Sequence, residues 1–229
     1  MGQDEWRQIA PQLRAACEPL GFDLLTPFGV GYAPEGLETF GRDNPLGVLI
    51  GNTRQLWPAF TRARELDPEL AQAEHPLDRY VERELSRAVS LATPVAAHLI
   101  FSHVTKPQPF PMARLAERIG LAAISPSHFA IHPLHGPWIA LRAVVTFDAP
   151  GPSFAPPEPA RPCRDCSAPC MPALERAIAV TSSPITAAGI AQHAGEWIAV
   201  RDACPVGPGS RYGDQQLLHH YGRRQRQGS

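Results

Sequence analysis

Hydrophobic residues in the first 150 positions follow two periods. Trp6, Ile9, Leu13 and Cys17 recur every three or four residues, which predicts an amphipathic opening helix that stops at Gly21. Residues 22–32 read as extended, and Leu46-Gly47-Val48-Leu49-Ile50 as a buried strand. Asn52 or Thr53 is placed to cap a helix carrying Leu56, Phe60, Ala63 and Leu66. After Pro76, the residues Leu77, Tyr80, Val81, Leu85, Ala88 and Val89 share one helical face. Residues 96–101 suit a strand. Pro107, Pro109 and Pro111 mark a loop, and Pro111 opens a helix with Met112, Leu115 and Ile119 that ends at Gly120. Residues 128–131 and 138–147 predict a hairpin around Gly136-Pro137. Helices and strands in mixed order imply an α+β protein, a mixed sheet with helices packed on it.

The pattern breaks after Phe147. Residues 150–162 hold six of the 26 prolines, so an extended segment is expected there. The chain then divides into a core at 1–148 and a Pro-rich linker with a cysteine-containing C-terminal segment at 149–229, extended in character, that completes the site. At 229 residues the chain can bury a sizeable core. A net charge of −1 and a pI near 6.7 argue against a general nucleic-acid binder, and an aromatic content of 7% against a stacking platform for single strands. The basic stretch Arg223-Arg224-Gln225-Arg226 reads as a solvated end. No run approaches the roughly 20 apolar residues of a membrane span, and the polar, acidic N-terminus lacks the marks of a signal peptide, so a cytoplasmic location is expected.

Candidate chemistry sits in a few places. Arg142 interrupts an apolar run, Trp138-Ile139-Ala140-Leu141 before it and Ala143-Val144-Val145 after it. A guanidinium stays charged and is costly to bury alone, so it pairs with a protein carboxylate or faces an anionic ligand. Cys163, Cys166, Cys170 and Cys204 are grouped, with Cys17 apart. The spacing Cys163-x2-Cys166-x3-Cys170 with a distant Cys204-Pro205 is similar to [4Fe-4S] binding, although Cys204 lies far from the other three. Zinc accepts four thiolates at looser spacing, and free thiols are the remaining reading. His128, His132 and His135 are close in sequence, the first and second on one strand face by alternation; a satisfied turn histidine is the simpler reading than a metal ligand. His219-His220 suits a solvated helix end.

With these residues assembled, the chain resembles the cobalamin-processing family of the methylmalonic aciduria and homocystinuria type C protein. The likeness rests on Leu20-Gly21-Phe22 leading to Pro27-Phe28, on Pro76-Leu77-Asp78, and on Ile131-His132-Pro133 through Gly136, Trp138 and Arg142 to Val144-Val145. It continues in Arg201-Asp202-Ala203, Pro205 and Arg211-Tyr212 ahead of Gln216. The resemblance implies a nitroreductase-like fold that binds cobalamin and removes its upper axial ligand, by decyanation with reduced flavin or dealkylation with glutathione. It implies that Arg142 and Arg201 bind the carboxylates of the thiol. It also places Phe110, Pro111, Met112, Ala113, Ile124, Ser125, Ala130, Leu141 and Tyr212 at the corrin. The family's tyrosine-rich stretch is replaced here by Ala122-Ala123-Ile124-Ser125-Pro126. The cysteine group is instead similar to the ferredoxin-like segments of epoxyqueuosine reductases, though the chain is too short for their two-cluster module. Two other activities stay open: a non-catalytic carrier that hands cobalamin to an acceptor protein, and a ferredoxin-like electron-transfer protein.

Overall fold

The computed structural model describes residues 5–181 and 183–222; the basic stretch at 223–226 lies outside them. The chain forms two compact units that alternate along the sequence, one of Met1–Ala122 with Ile139–Pro159, the other of Ala123–Trp138 with Ala160–Ser229. A single division after residue 148 therefore does not follow these units, because the segment 123–138 belongs with the C-terminal part.

The first unit is built on a four-stranded sheet of β1 (Leu24–Gly29), β2 (Pro45–Asn52), β3 (Ala97–Phe101) and β6 (Ala140–Pro150), in the order β1-β2-β6-β3. Each neighbouring pair is antiparallel, where a mixed sheet was expected. Every residue of β2 is buried, which accounts for its unbroken apolar run. Helices α1 (Trp6–Cys17), α2 (Leu56–Leu66), α3 (Pro68–Gln72) and α4 (Pro76–Ala92) supply one large core with the sheet. That core joins Ile9, Leu13 and Cys17 of α1 to Tyr80, Val81 and Leu85 of α4, and to Val48, Ile50 and Val145. Pro76 starts α4 where its missing N–H costs nothing. Asn52 does not cap α2, whose flanking residue is Gln55, but Thr53 Oγ1 accepts the Gln55 amide at 3.3 Å just ahead of the helix. The Thr53 amide and hydroxyl both donate to Asp23, and Asn52 ends β2. Helix α5 (Met112–Arg118) completes this unit.

The second unit holds a short pair, β4 (Ala123–Ile124) with β5 (Ala130–Ile131), and helices α6 (Cys170–Thr181), α7 (Ala187–Gln192), α8 (Ala194–Asp202) and α9 (Asp214–Tyr221). The expected hairpin of 128–131 with 138–147 is not formed. Strand β6 is paired on both edges, with β2 and β3, so no edge is left for β5. His128 sits at φ 64, a left-handed turn position, which shortens the strand and removes the common face assigned to His128 and His132. Residues 151–161 contain no helix or strand, in line with their prolines, whereas the cysteine-containing segment beyond is helical from Cys170 rather than extended.

Candidate functional site

Arg142 lies at a break in the sheet. Ile50 of β2 pairs with Ala143 and Gly51 with Leu141, so Arg142 is the extra residue of a bulge. Bulges of this kind redirect one side chain out of the regular alternation. Its Nε donates to Asn52 Oδ1 at 2.7 Å, and Asn52 Nδ2 donates to Thr53 O at 2.6 Å. Asn52 is a neutral amide that is itself fully buried. Asn52, Thr53 and Asp23 form a chain of hydrogen bonds behind the arginine.

Arg201, in the last turn of α8, is half-buried. Its Nη1 donates to Pro137 O at 2.6 Å, and its guanidinium lies 4.8 Å from the Phe129 ring and 5.8 Å from that of Trp138. Its Nε is buried and has no hydrogen-bond partner among the described residues. A planar cation with aromatic neighbours and a remaining N–H is suited to a carboxylate. The next residue, Asp202, takes both arms of Arg211 at 2.7 and 3.1 Å. Arg211 also lies 5.7 Å from the Trp138 ring, and Tyr212 packs edge-on against that ring at 5.4 Å. Trp138, Arg201-Asp202 and Arg211-Tyr212, distant in sequence, therefore meet in one cluster of the second unit.

This cluster is held by a close backbone approach. Gly136 (φ +57) and Gly207 (φ +67) occupy left-handed positions, where a Cβ would stand 1.9 Å from Val206 O and 2.3 Å from the His135 carbonyl carbon respectively. His132 accepts the Leu134 and His135 amides on Nδ1 at 3.1 and 3.3 Å, and His135 Nδ1 lies 2.8 Å from Ser210 Oγ. These are satisfied turn histidines. His219 and His220 fall in the last turn of α9, as expected.

The four grouped cysteines converge. Cys163, Cys166, Cys170 and Cys204 all line one small, largely apolar cavity of about 20 Å³ together with Ser125, Phe129, Pro137 and Val200. All are free thiols. Burial pushes the Cys163 and Cys204 thiols up, and the neighbouring cysteines push them further, while an N–H from Val206 acts the other way on Cys204. Among the described residues, no group of three or more His, Cys, Asp or Glu is arranged to hold a metal ion. Cys17 is elsewhere, fully buried in the first unit's core, its thiol pushed up to about 12 by burial.

The residues assigned to the corrin fall in both units. Phe110 and Pro111 line an open groove of about 460 Å³ with Phe101 and Lys106. Met112 is buried in α5, while Ala113 and Leu141 are half-buried. In the second unit Ile124 and Ala130 form one β4–β5 pair, Ser125 is a wall of the cysteine cavity, and Tyr212 is buried on Trp138. No helix among the described residues is long and apolar enough to cross a membrane.

No protein-family model and no curated protein matches the chain by sequence. Among solved structures, the chain is similar to a C. elegans B12-trafficking protein, CblC, a homologue of human MMACHC. The TM-score is 0.69 with 18% identity, and the match covers 94% of this chain and 91% of that one. At that identity the likeness is one of fold. The chain thus has the α+β fold of the B12-trafficking protein CblC, the fold that the resemblance in its sequence implies.

Proposed function

We propose that this protein binds cobalamin as its substrate and removes the upper axial ligand. The observation that carries this reading is the fold shared with a B12-trafficking protein over nearly the full length of both chains. Arg201 supports a thiol-dependent route, because its partly engaged guanidinium retains a buried N–H suited to a carboxylate such as those of glutathione. Arg142, oriented by Asn52, is the second carboxylate-binding residue. In dealkylation the thiolate sulfur bonds to the cobalt-bound carbon, the cobalt–carbon bond breaks, and its electron pair stays with cobalt. The protein's share is to hold thiol and corrin in line. Decyanation instead draws its electrons from a reduced flavin.

Titration of the pure protein with cyanocobalamin and methylcobalamin, followed by visible absorbance, tests the reading. A saturable spectral change below about tens of micromolar is expected; none at that concentration overturns it. Turnover with glutathione or reduced flavin then separates catalysis from carriage, since a carrier gives the spectral change without product.

A further inference from the structure

Four of the five cysteines reach one cavity from separate parts of the second unit. Cys163 and Cys166 lie in the turn after the proline-rich segment, Cys170 opens α6, and Cys204 follows the end of α8. The 34-residue sequence gap that sets Cys204 apart is closed by the packing of α6 on α8 through Ala173, Leu174, Ala177 and Val200. Ala168, between Cys166 and Cys170, adopts φ 53, a conformation costly for a residue with a Cβ, and this turn delivers both cysteines to the same wall. A backbone N–H is directed at one of the sulfurs: Ala168 N donates to Cys166 Sγ at 3.4 Å.

Cysteines that only fill space need neither a shared void nor an amide directed at sulfur. We propose that Cys163, Cys166, Cys170 and Cys204 together hold a thiophilic metal centre. No group of three or more His, Cys, Asp or Glu among the described residues is already arranged around a metal ion, so a zinc ion and an iron–sulfur cluster alike require the turn bearing Cys163 and Cys166 to rearrange. The cavity of about 20 Å³ has room for one water-sized sphere. Loading a cluster therefore opens the turn bearing Cys163 and Cys166, which is neither helix nor strand.

The test uses the full chain without cobalamin, so its outcome is independent of the function proposed above. Protein is purified without oxygen, or loaded with ferrous iron and sulfide or with zinc, and its metal and acid-labile sulfide are measured. Iron with sulfide and absorbance at about 400 nm identifies a cluster, and zinc alone a single ion; either supports the site. Cys204→Ser and Cys166→Ser are each expected to lower metal content several-fold, with Cys17→Ser unchanged. Circular dichroism confirms that the variants fold, and Cys166→Ser lies outside every helix. Metal below about half an equivalent under all loading conditions overturns the proposal, as does a folded Cys204→Ser that retains its metal.

Discussion

Arg142 enters an otherwise apolar strand because one extra residue in β6 turns it out of register, and a buried amide then receives it. Asn52 holds the guanidinium by its Nε, which fixes the orientation in which the planar fork is presented. Arg142→Ala and Arg201→Ala are each expected to raise the glutathione concentration for half-maximal dealkylation by about tenfold to a hundredfold, the loss of one charge-assisted pair of about 1.5–3 kcal/mol. Methylcobalamin binding, read by absorbance, should stay nearly the same. An Arg142→Ala protein that unfolds with no change in glutathione dependence would assign the residue to structure. Asn52→Ala should reproduce the glutathione defect of Arg142→Ala more weakly, marking Asn52 as a positioning residue. Cys17 offers a contrast in reactivity. With its thiol at about 12, only about one molecule in 10⁵ is thiolate at pH 7, so native protein should resist iodoacetamide at Cys17 and react there after unfolding.

At the level of elements, the turn at His132–Gly136 and the one at Val206–Gly207 interlock through two left-handed glycines. Gly207→Ala adds a Cβ into the His135 carbonyl and should cost more than about 1 kcal/mol, whereas Gly209→Ala, with open space around it, should be near neutral in denaturant melts. Near-equal melts would show that the two turns are not tightly locked. Asp67 caps α3 by accepting the Glu69 and Leu70 amides and also meets Arg83, and these contacts hold its carboxyl below the usual range. A carboxyl held low adds stability above its unfolded value and loses it as pH falls through the folded one. Asp67→Asn should therefore lower the melting temperature at neutral pH and converge with the parent in acid. The long elements α1, β2 and α4 are legible in the sequence because each buries a full face or both faces. The later helices are not, since α7 and α8 are short and α8 buries only Val200, while α6 packs through alanines that do not stand out from their surroundings. Arg142 and the cysteine group were visible as residue types in unusual company. The aromatic and carbonyl partners of Arg201 were not, because Phe129, Pro137 and Trp138 meet it only through tertiary packing.

Across the whole molecule the apolar core is unevenly shared. The first unit has an extended core running from α1 to the sheet, whereas the second includes, among its described residues, two small groups, Ala173, Leu174, Ala177 and Val200 in one, Trp138, Tyr212 and Leu217 in the other. Small cores depend on added constraints, and a metal that binds only the folded state adds its binding free energy to stability. The cysteine cavity lies where such a constraint has most effect, between the β4–β5 turn at Ser125 and Phe129 and the end of α8 at Val200. Phe129 and Pro137, which wall the cavity, are also the residues that hold Arg201. Loss of metal should then loosen the arginine as well as the thiols. In hydrogen exchange, metal-free protein or Cys204→Ser should exchange faster than metal-loaded protein at residues 123–138 and 160–222, while the amides of β2 keep their protection. The same variant should need more glutathione for dealkylation, in the direction of Arg201→Ala, and Cys17→Ser should do neither. Equal exchange in loaded and metal-free protein would separate the cysteines from the stability of the second unit; faster exchange without a change in glutathione dependence would separate them from Arg201.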